Sequence, residues 1–319
     1  MRETRSKRKI KVEDIGSEEI IIKKEKIEPI EDSIKDSNTI IKDEKPDISA
    51  FEKQIDDKAA VKAEIYNSDV DRESSSSENV DWELILRRIK EFRSKNQAPV
   101  DTIGCHAIGT RGSTPAINRY RTLVALILSS QTRDEMTSAA VDNLNAALSG
   151  GLSPTSLVAA TDDTIKQAIK SVGFANTKVK YLRQTSRLLL ERHNGDVPNQ
   201  LAELLDLPGV GPKMAYLALQ SCWDVNIGIG VDTHVFRISH KLGFVPQSSK
   251  TPEDTRKRLQ KLLPQSEWPT INPLLVGFGQ ILCTAKKPDC NNCPVNDLCI
   301  SSTATNLPHT KIKIDKKRS

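Results

Sequence analysis

Leu207-Pro208-Gly209-Val210-Gly211-Pro212-Lys213 joins two stretches of helical apolar spacing, and its reading decides the fold. Two glycines permit a tight turn whose backbone can approach a ligand closely. Pro212 suits the first turn of the next helix, where a missing N–H costs nothing. The unit expected is therefore helix, glycine hairpin, helix. Free amides at such a helix start bind anions without a charged side chain. Gly209, Val210 and Gly211 can thus hold a DNA phosphate without reading sequence. A plain helix–helix turn would use the same residues.

Working outward, helical spacing predicts elements at about 116–129, 133–148, 153–160, 162–171, 177–193 and 198–206. Ser153-Pro154 reads as an N-cap followed by a first-turn proline, Asp162 or Asp163 as the next cap, and Gly173 as a terminator. Trp82, Ile85, Leu86, Ile89 and Phe92 form one apolar stripe on a charged helix. A loop holding Pro99, Gly104, Gly109, Gly112 and Pro115 is expected after it. No alternating run reads as a strand. Short amphipathic helices with short polar links imply an all-α bundle.

Charge divides the 319 residues unevenly. Residues 1–80 carry 16 basic and 21 acidic side chains, and the remainder 31 and 21. With Phe51 and Tyr66 its only aromatics, the first segment is too charged and apolar-poor to fold, and is read as a disordered tail. Basic clusters at Arg5–Lys11 and Lys311–Arg318 read as nuclear addresses or as solvated ends. A mitochondrial transit segment is the weaker reading, because Glu13, Asp14, Glu18 and Glu19 follow early. The longest apolar run, Leu123–Leu128, excludes a membrane-spanning helix, and no secretory signal is present.

Two residue sets carry chemistry. Lys213 lies in the first turn of its helix, the unfavourable end for a cation. An ordinary lysine titrates near 10.4, so freeing its amine at pH 7 costs about 4.6 kcal/mol. Burial and a proton acceptor would have to supply most of that. By itself Lys213 reads as a phosphate contact. Asp232, in Gly230-Val231-Asp232-Thr233-His234, reads as an N-cap and as a carboxylate able to take that proton. His234 is expected to be supporting. The second set is Cys283, Cys290, Cys293 and Cys299, spaced C-x6-C-x2-C-x5-C. Four thiols within 17 residues mark a metal site. One knuckle with two long arms leans toward [4Fe–4S] over zinc. Lys286 and Lys287, on the loop between ligands, can meet phosphates. Cys105 and Cys222 read as small apolar residues.

Together with Leu128-Ser129-Ser130-Gln131-Thr132, Gly173-Phe174-Ala175-Asn176-Thr177-Lys178 and Leu274–Gln280, these motifs resemble the endonuclease III family of DNA glycosylases over about residues 81–300, its eukaryotic branch above all. The resemblance implies an all-α, two-lobed helix-hairpin-helix fold with a DNA cleft. Residues 113–225 would form a six-helix bundle. Residues 81–112 and 226–300 would form the lobe holding a [4Fe–4S] cluster, with a basic tail at 301–319. It implies a monomer that excises oxidised pyrimidines from duplex DNA and nicks abasic sites. Lys213 would be the Schiff-base nucleophile and Asp232 the essential carboxylate. Gln131 would fill the space left by the extruded base, with Phe174 as a second wedge. One rival is the adenine mismatch branch, disfavoured by Lys213 and by the 20 residues that follow Cys299. The other is a DNA-binding module with a four-cysteine zinc site and no catalysis.

Overall fold

The computed structural model describes residues 80–305. The tail 1–79, the basic cluster at Lys311–Arg318 and the targeting expectations attached to both lie outside these residues. Among the described residues there are thirteen α-helices, one 3-10 helix and no strand. No helix there is long and apolar enough to cross a membrane.

Two apolar cores organise the helices. The first is centred on α4 (Pro115–Ser129), in which every residue from Tyr120 to Leu128 is buried. A helix apolar on all sides must be surrounded. It is covered by α3 (Cys105–Gly109), α5 (Asp134–Ala147), α8 (Ala175–Arg192) and α10 (Pro212–Trp223). The Tyr120 hydroxyl is satisfied at depth by Ser186 Oγ at 2.6 Å. Between α5 and α8 lie α6 (Pro154–Ala159) and α7 (Asp162–Ala168), and α9 (Leu201–Asp206) leads into the hairpin. The second core joins the Ile85, Leu86 and Ile89 face of α1 (Trp82–Lys95) to α11 (Thr233–Leu242), α12 (Pro252–Leu262) and α13 (Trp268–Ile281).

Three local expectations are corrected. Residues 99–115 are not all loop: α2 (Pro99–Ile103) and α3 occupy most of them. Pro99 starts α2, Asp101 Oδ2 accepts the Ala98 amide at 2.8 Å, and Gly104 separates the two helices. The cap of α7 is Thr161, whose hydroxyl accepts the Thr164 amide. Asp162 and Asp163 sit instead in the first turn, where the helix dipole favours them. That helix ends at Ala168, before Gly173 is reached. The Ser153-Pro154 start is as expected.

The cores are tied across their junction. Pro273 lies inside α13 and has no N–H for the Pro269 carbonyl. Gln220 of α10 donates to that carbonyl at 2.6 Å. Gln280 accepts the Val100 amide and donates to Asp134 at 2.7 Å. Asn272 donates to the Gly230 carbonyl at 2.7 Å.

Candidate active site and metal centre

The hairpin is built as its sequence demands. Gly209 has φ +79°, and a Cβ there would sit 2.6 Å from the Tyr181 ring. Thr185 donates to the Pro208 carbonyl at 2.9 Å, pinning the turn to α8. Val210 is buried in the first core, and its amide closes the turn on Leu207. Gly211 begins α10 without a side-chain cap, and Pro212 occupies the first turn. The opening amides of α10 are therefore available to an anion.

Lys213 follows at once and lines a cleft of about 900 Å³ between the two cores. Among the described residues its amine has no hydrogen bond and no ion pair. The backbone at 228–232 brings Asp232 to the same cleft. Gly230 makes this possible, since a Cβ there would lie 2.7 Å from the Leu217 side chain of α10. Asp232 caps α11 with one oxygen only: Oδ1 accepts the amides of His234 at 2.9 Å and Val235 at 2.8 Å. Oδ2 makes no hydrogen bond among the described residues. The cap thus fixes a carboxylate and leaves half of it free for chemistry.

Sequence reasoning missed three cleft residues. Asp134 stands three positions after Gln131, and burial raises its carboxyl above the usual range. His106, in the segment read as loop, also lines the cleft, and burial lowers its imidazole. Cys105, read as a small apolar residue, faces the cleft as well. Burial raises its thiol, the Lys213 charge opposing the rise, so it stays protonated. His234 lines the wall, with burial lowering its imidazole and its Nδ1 buried without a partner.

Gln131 lies at the cleft edge, exposed, with φ 50°. Phe174 is 65 % exposed with φ 57° and starts α8. It is not a lining residue of the cleft. Lys286 and Lys287 are exposed on the loop after Cys283, away from the cleft lining. Thr284 donates to the Lys287 carbonyl at 2.7 Å and closes that loop.

Cys283, Cys290, Cys293 and Cys299 surround one small chamber whose remaining walls include Leu242, Phe278, Leu282 and Val295. None forms a disulfide. Burial raises the thiols of Cys283 and Cys299 and pushes that of Cys293 up to about 11. Burial disfavours the thiolates, and a bound cation is what would deprotonate these thiols and make them ligands. Among the described residues no three such side chains converge on one ion. Four free cysteines facing one chamber offer the four thiolates that a [4Fe–4S] cluster takes as ligands. Arg237 donates to the Cys283 carbonyl at 2.8 Å, so the chamber is fastened to α11.

Residues 124–265 match the family described as HhH-GPD superfamily base excision DNA repair protein. Residues 283–299 match the iron-sulfur binding domain of endonuclease III. The chain is 44% identical to "Endonuclease III-like protein 1" of Mus musculus over 218 residues, covering 68% of this chain and 72% of that one. The chain belongs to the endonuclease III family. The "Endonuclease III homolog" of Encephalitozoon cuniculi is 38% identical over 240 residues, 98% of its length. Among solved structures, "Structure of a Trapped Endonuclease III-DNA Covalent Intermediate: Estranged-Adenine Complex" superposes with a TM-score of 0.59 at 26% identity, covering 69% of this chain and 94% of that one. Membership makes the chain a DNA glycosylase of base excision repair with a [4Fe–4S] binding domain at residues 283–299, the segment that contains the four cysteines. That excludes the non-catalytic zinc module.

Proposed function

We propose that this endonuclease III family member is bifunctional, excising oxidised pyrimidines such as thymine glycol and then cleaving the strand as an abasic-site lyase. The observation that carries this is an unpaired Lys213 amine in the same cleft as an Asp232 carboxylate with one free oxygen. The trapped covalent DNA intermediate of the related solved structure supports it.

The chemistry runs as follows. The damaged nucleotide leaves the stack at a cost of a few kcal/mol, less for a poorly stacked base. Gln131, exposed at the cleft edge, fills the gap. The hairpin and the start of α10 hold a backbone phosphate, with Gly209 and Gly211 allowing close approach. The Lys213 nitrogen forms a bond to C1′ as the glycosidic bond breaks and the base leaves with a proton from water. Asp232 Oδ2 takes the amine proton. The C1′–O4′ bond then breaks, O4′ takes that proton back from Asp232, and C1′ becomes a protonated imine to the lysine nitrogen, which acidifies C2′; loss of the C2′ proton expels the 3′ phosphate. When bound, the cluster supplies a rigid cross-link for the loop bearing Lys286 and Lys287, which meet flanking phosphates. Phe174 acts as a second wedge. We read the two cores as two lobes, 113–225 and 81–112 with 226–300, with α3 joining the first through Ile108. The enzyme acts as a monomer and, from its basic clusters, in the nucleus.

Borohydride reduction in the presence of abasic duplex tests the reading. A covalent protein–DNA adduct that disappears in Lys213→Gln is expected. Base release without any trappable adduct would reduce the activity to glycosylase alone. Parallel duplexes with thymine glycol, 8-oxoguanine or mismatched adenine identify the lesion.

A further inference from the structure

We propose that Lys178 is a positioning residue that locks the loops carrying Gln131 and Phe174 into one rigid wedge. This rests on the reading of Gln131 as the inserted residue.

Lys178 is 3 % exposed, although lysine is almost never buried without an acid. No carboxylate pairs with it among the described residues. Its ammonium instead donates to the Leu128 carbonyl at 2.7 Å, the Ser130 carbonyl at 2.7 Å and Thr132 Oγ1 at 3.1 Å. An ammonium has three donors, and here each has its own acceptor. All three acceptors belong to residues 128–132, the segment that bears Gln131. Burial pushes the amine down to about 8, so the charge is kept where it is costly. A buried apolar side chain would fill the space without that cost, which marks the three donors as the reason for a lysine.

The same network reaches Phe174. Thr132 Oγ1 accepts the Gly173 amide at 3.2 Å. A Cβ on Gly173 would lie 2.8 Å from the Gln131 carbonyl, so the two loops are back to back with no room for a side chain. Gln131 and Phe174 both hold left-handed backbone, a strained conformation for a non-glycine residue. Strained residues persist when their surroundings over-determine them. Lys178 provides that constraint: it sits one turn into α8, whose N-cap is Phe174, and its tip holds the other loop.

The test uses the full-length holoenzyme and two substrates. One is a duplex with thymine glycol beside 2-aminopurine, whose fluorescence rises as stacking is lost. The other is a single strand with a preformed abasic site, which needs no extrusion. Lys178→Met should slow the fluorescence rise and base release roughly tenfold or more while changing single-strand cleavage less than about twofold. Gln131→Ala should also slow the fluorescence rise on the duplex, and there the double variant should lose little more than either alone, because both act through one loop. Equal losses on both substrates, or no loss on the duplex, overturn the role of Lys178. An unchanged fluorescence rise in Gln131→Ala overturns the insertion reading itself and is recognised separately. Should Lys178→Met not fold, Thr132→Val removes the shared hydroxyl and must show the same split between substrates.

Discussion

Gln220 and Pro269 are joined at 2.6 Å because Pro273 leaves the Pro269 carbonyl without a helical donor. A kink-forming residue in the second core thus creates the acceptor by which the first core holds it. Gln220→Leu should lower stability by about 1 kcal/mol, the usual loss for one such bond. Pro273→Ala restores an N–H to the helix and should recover part of that loss. Denaturant midpoints of the two single variants and the double variant measure the coupling. Additive changes would show that the two residues act independently.

Asp232 caps α11 with one oxygen, and the other is the one proposed to take a proton, so one substitution separates the two roles. Asparagine caps helices as well as aspartate, because its carbonyl oxygen accepts the same amides. Asp232→Asn should keep the melting temperature while reducing base release by at least about a hundredfold, within the range of general-base losses. Asp232→Ala should lose activity and, in addition, about 1 kcal/mol of stability. Wild-type turnover in Asp232→Asn would make the residue a cap alone.

The metal chamber is part of the second core, since Cys283, Cys293 and Cys299 pack against it. Cys293→Ala should lower iron content and absorbance near 400 nm and shift the thermal transition downward. Iron analysis with calorimetry on the same preparation checks this. Full stability in the iron-free protein would show the second core to be independent of the cluster.

Lys286 and Lys287 test the reach of the interface. Each neutralised phosphate contributes roughly 0.9 to the slope of log affinity against log salt. Lys286→Ala with Lys287→Ala should therefore reduce the slope by about two if both contact duplex DNA. Fluorescence anisotropy across a salt series on an abasic duplex gives the value. An unchanged slope would remove this loop from the interface.

How much of this was legible in the sequence depended on whether the determining contacts were local. Gly209, Pro212 and the Asp232 cap follow from rules that span a few residues, and the structure forms the hairpin and cap as read. The cysteine spacing announced a metal site for the same reason. Residues 99–103 and 105–109 are helical despite the glycines there, because Asp101 and the first-turn preference of Pro99 start a helix. Asp134 and Gln280 are 146 residues apart, and no spacing rule joins them. The burial of Lys178 rests on contacts such as the Leu128 carbonyl, 50 residues away, which no local rule gives.

The helix behind Gln131 gives the site a mechanical character. Residues Tyr120–Leu128 are enclosed on every side, and Gln131 follows three positions later. A side chain pressed into a base stack feels a recoil. If Gln131 is inserted as proposed, that recoil falls on a close-packed, enclosed helix, and bulk packing takes up the thrust.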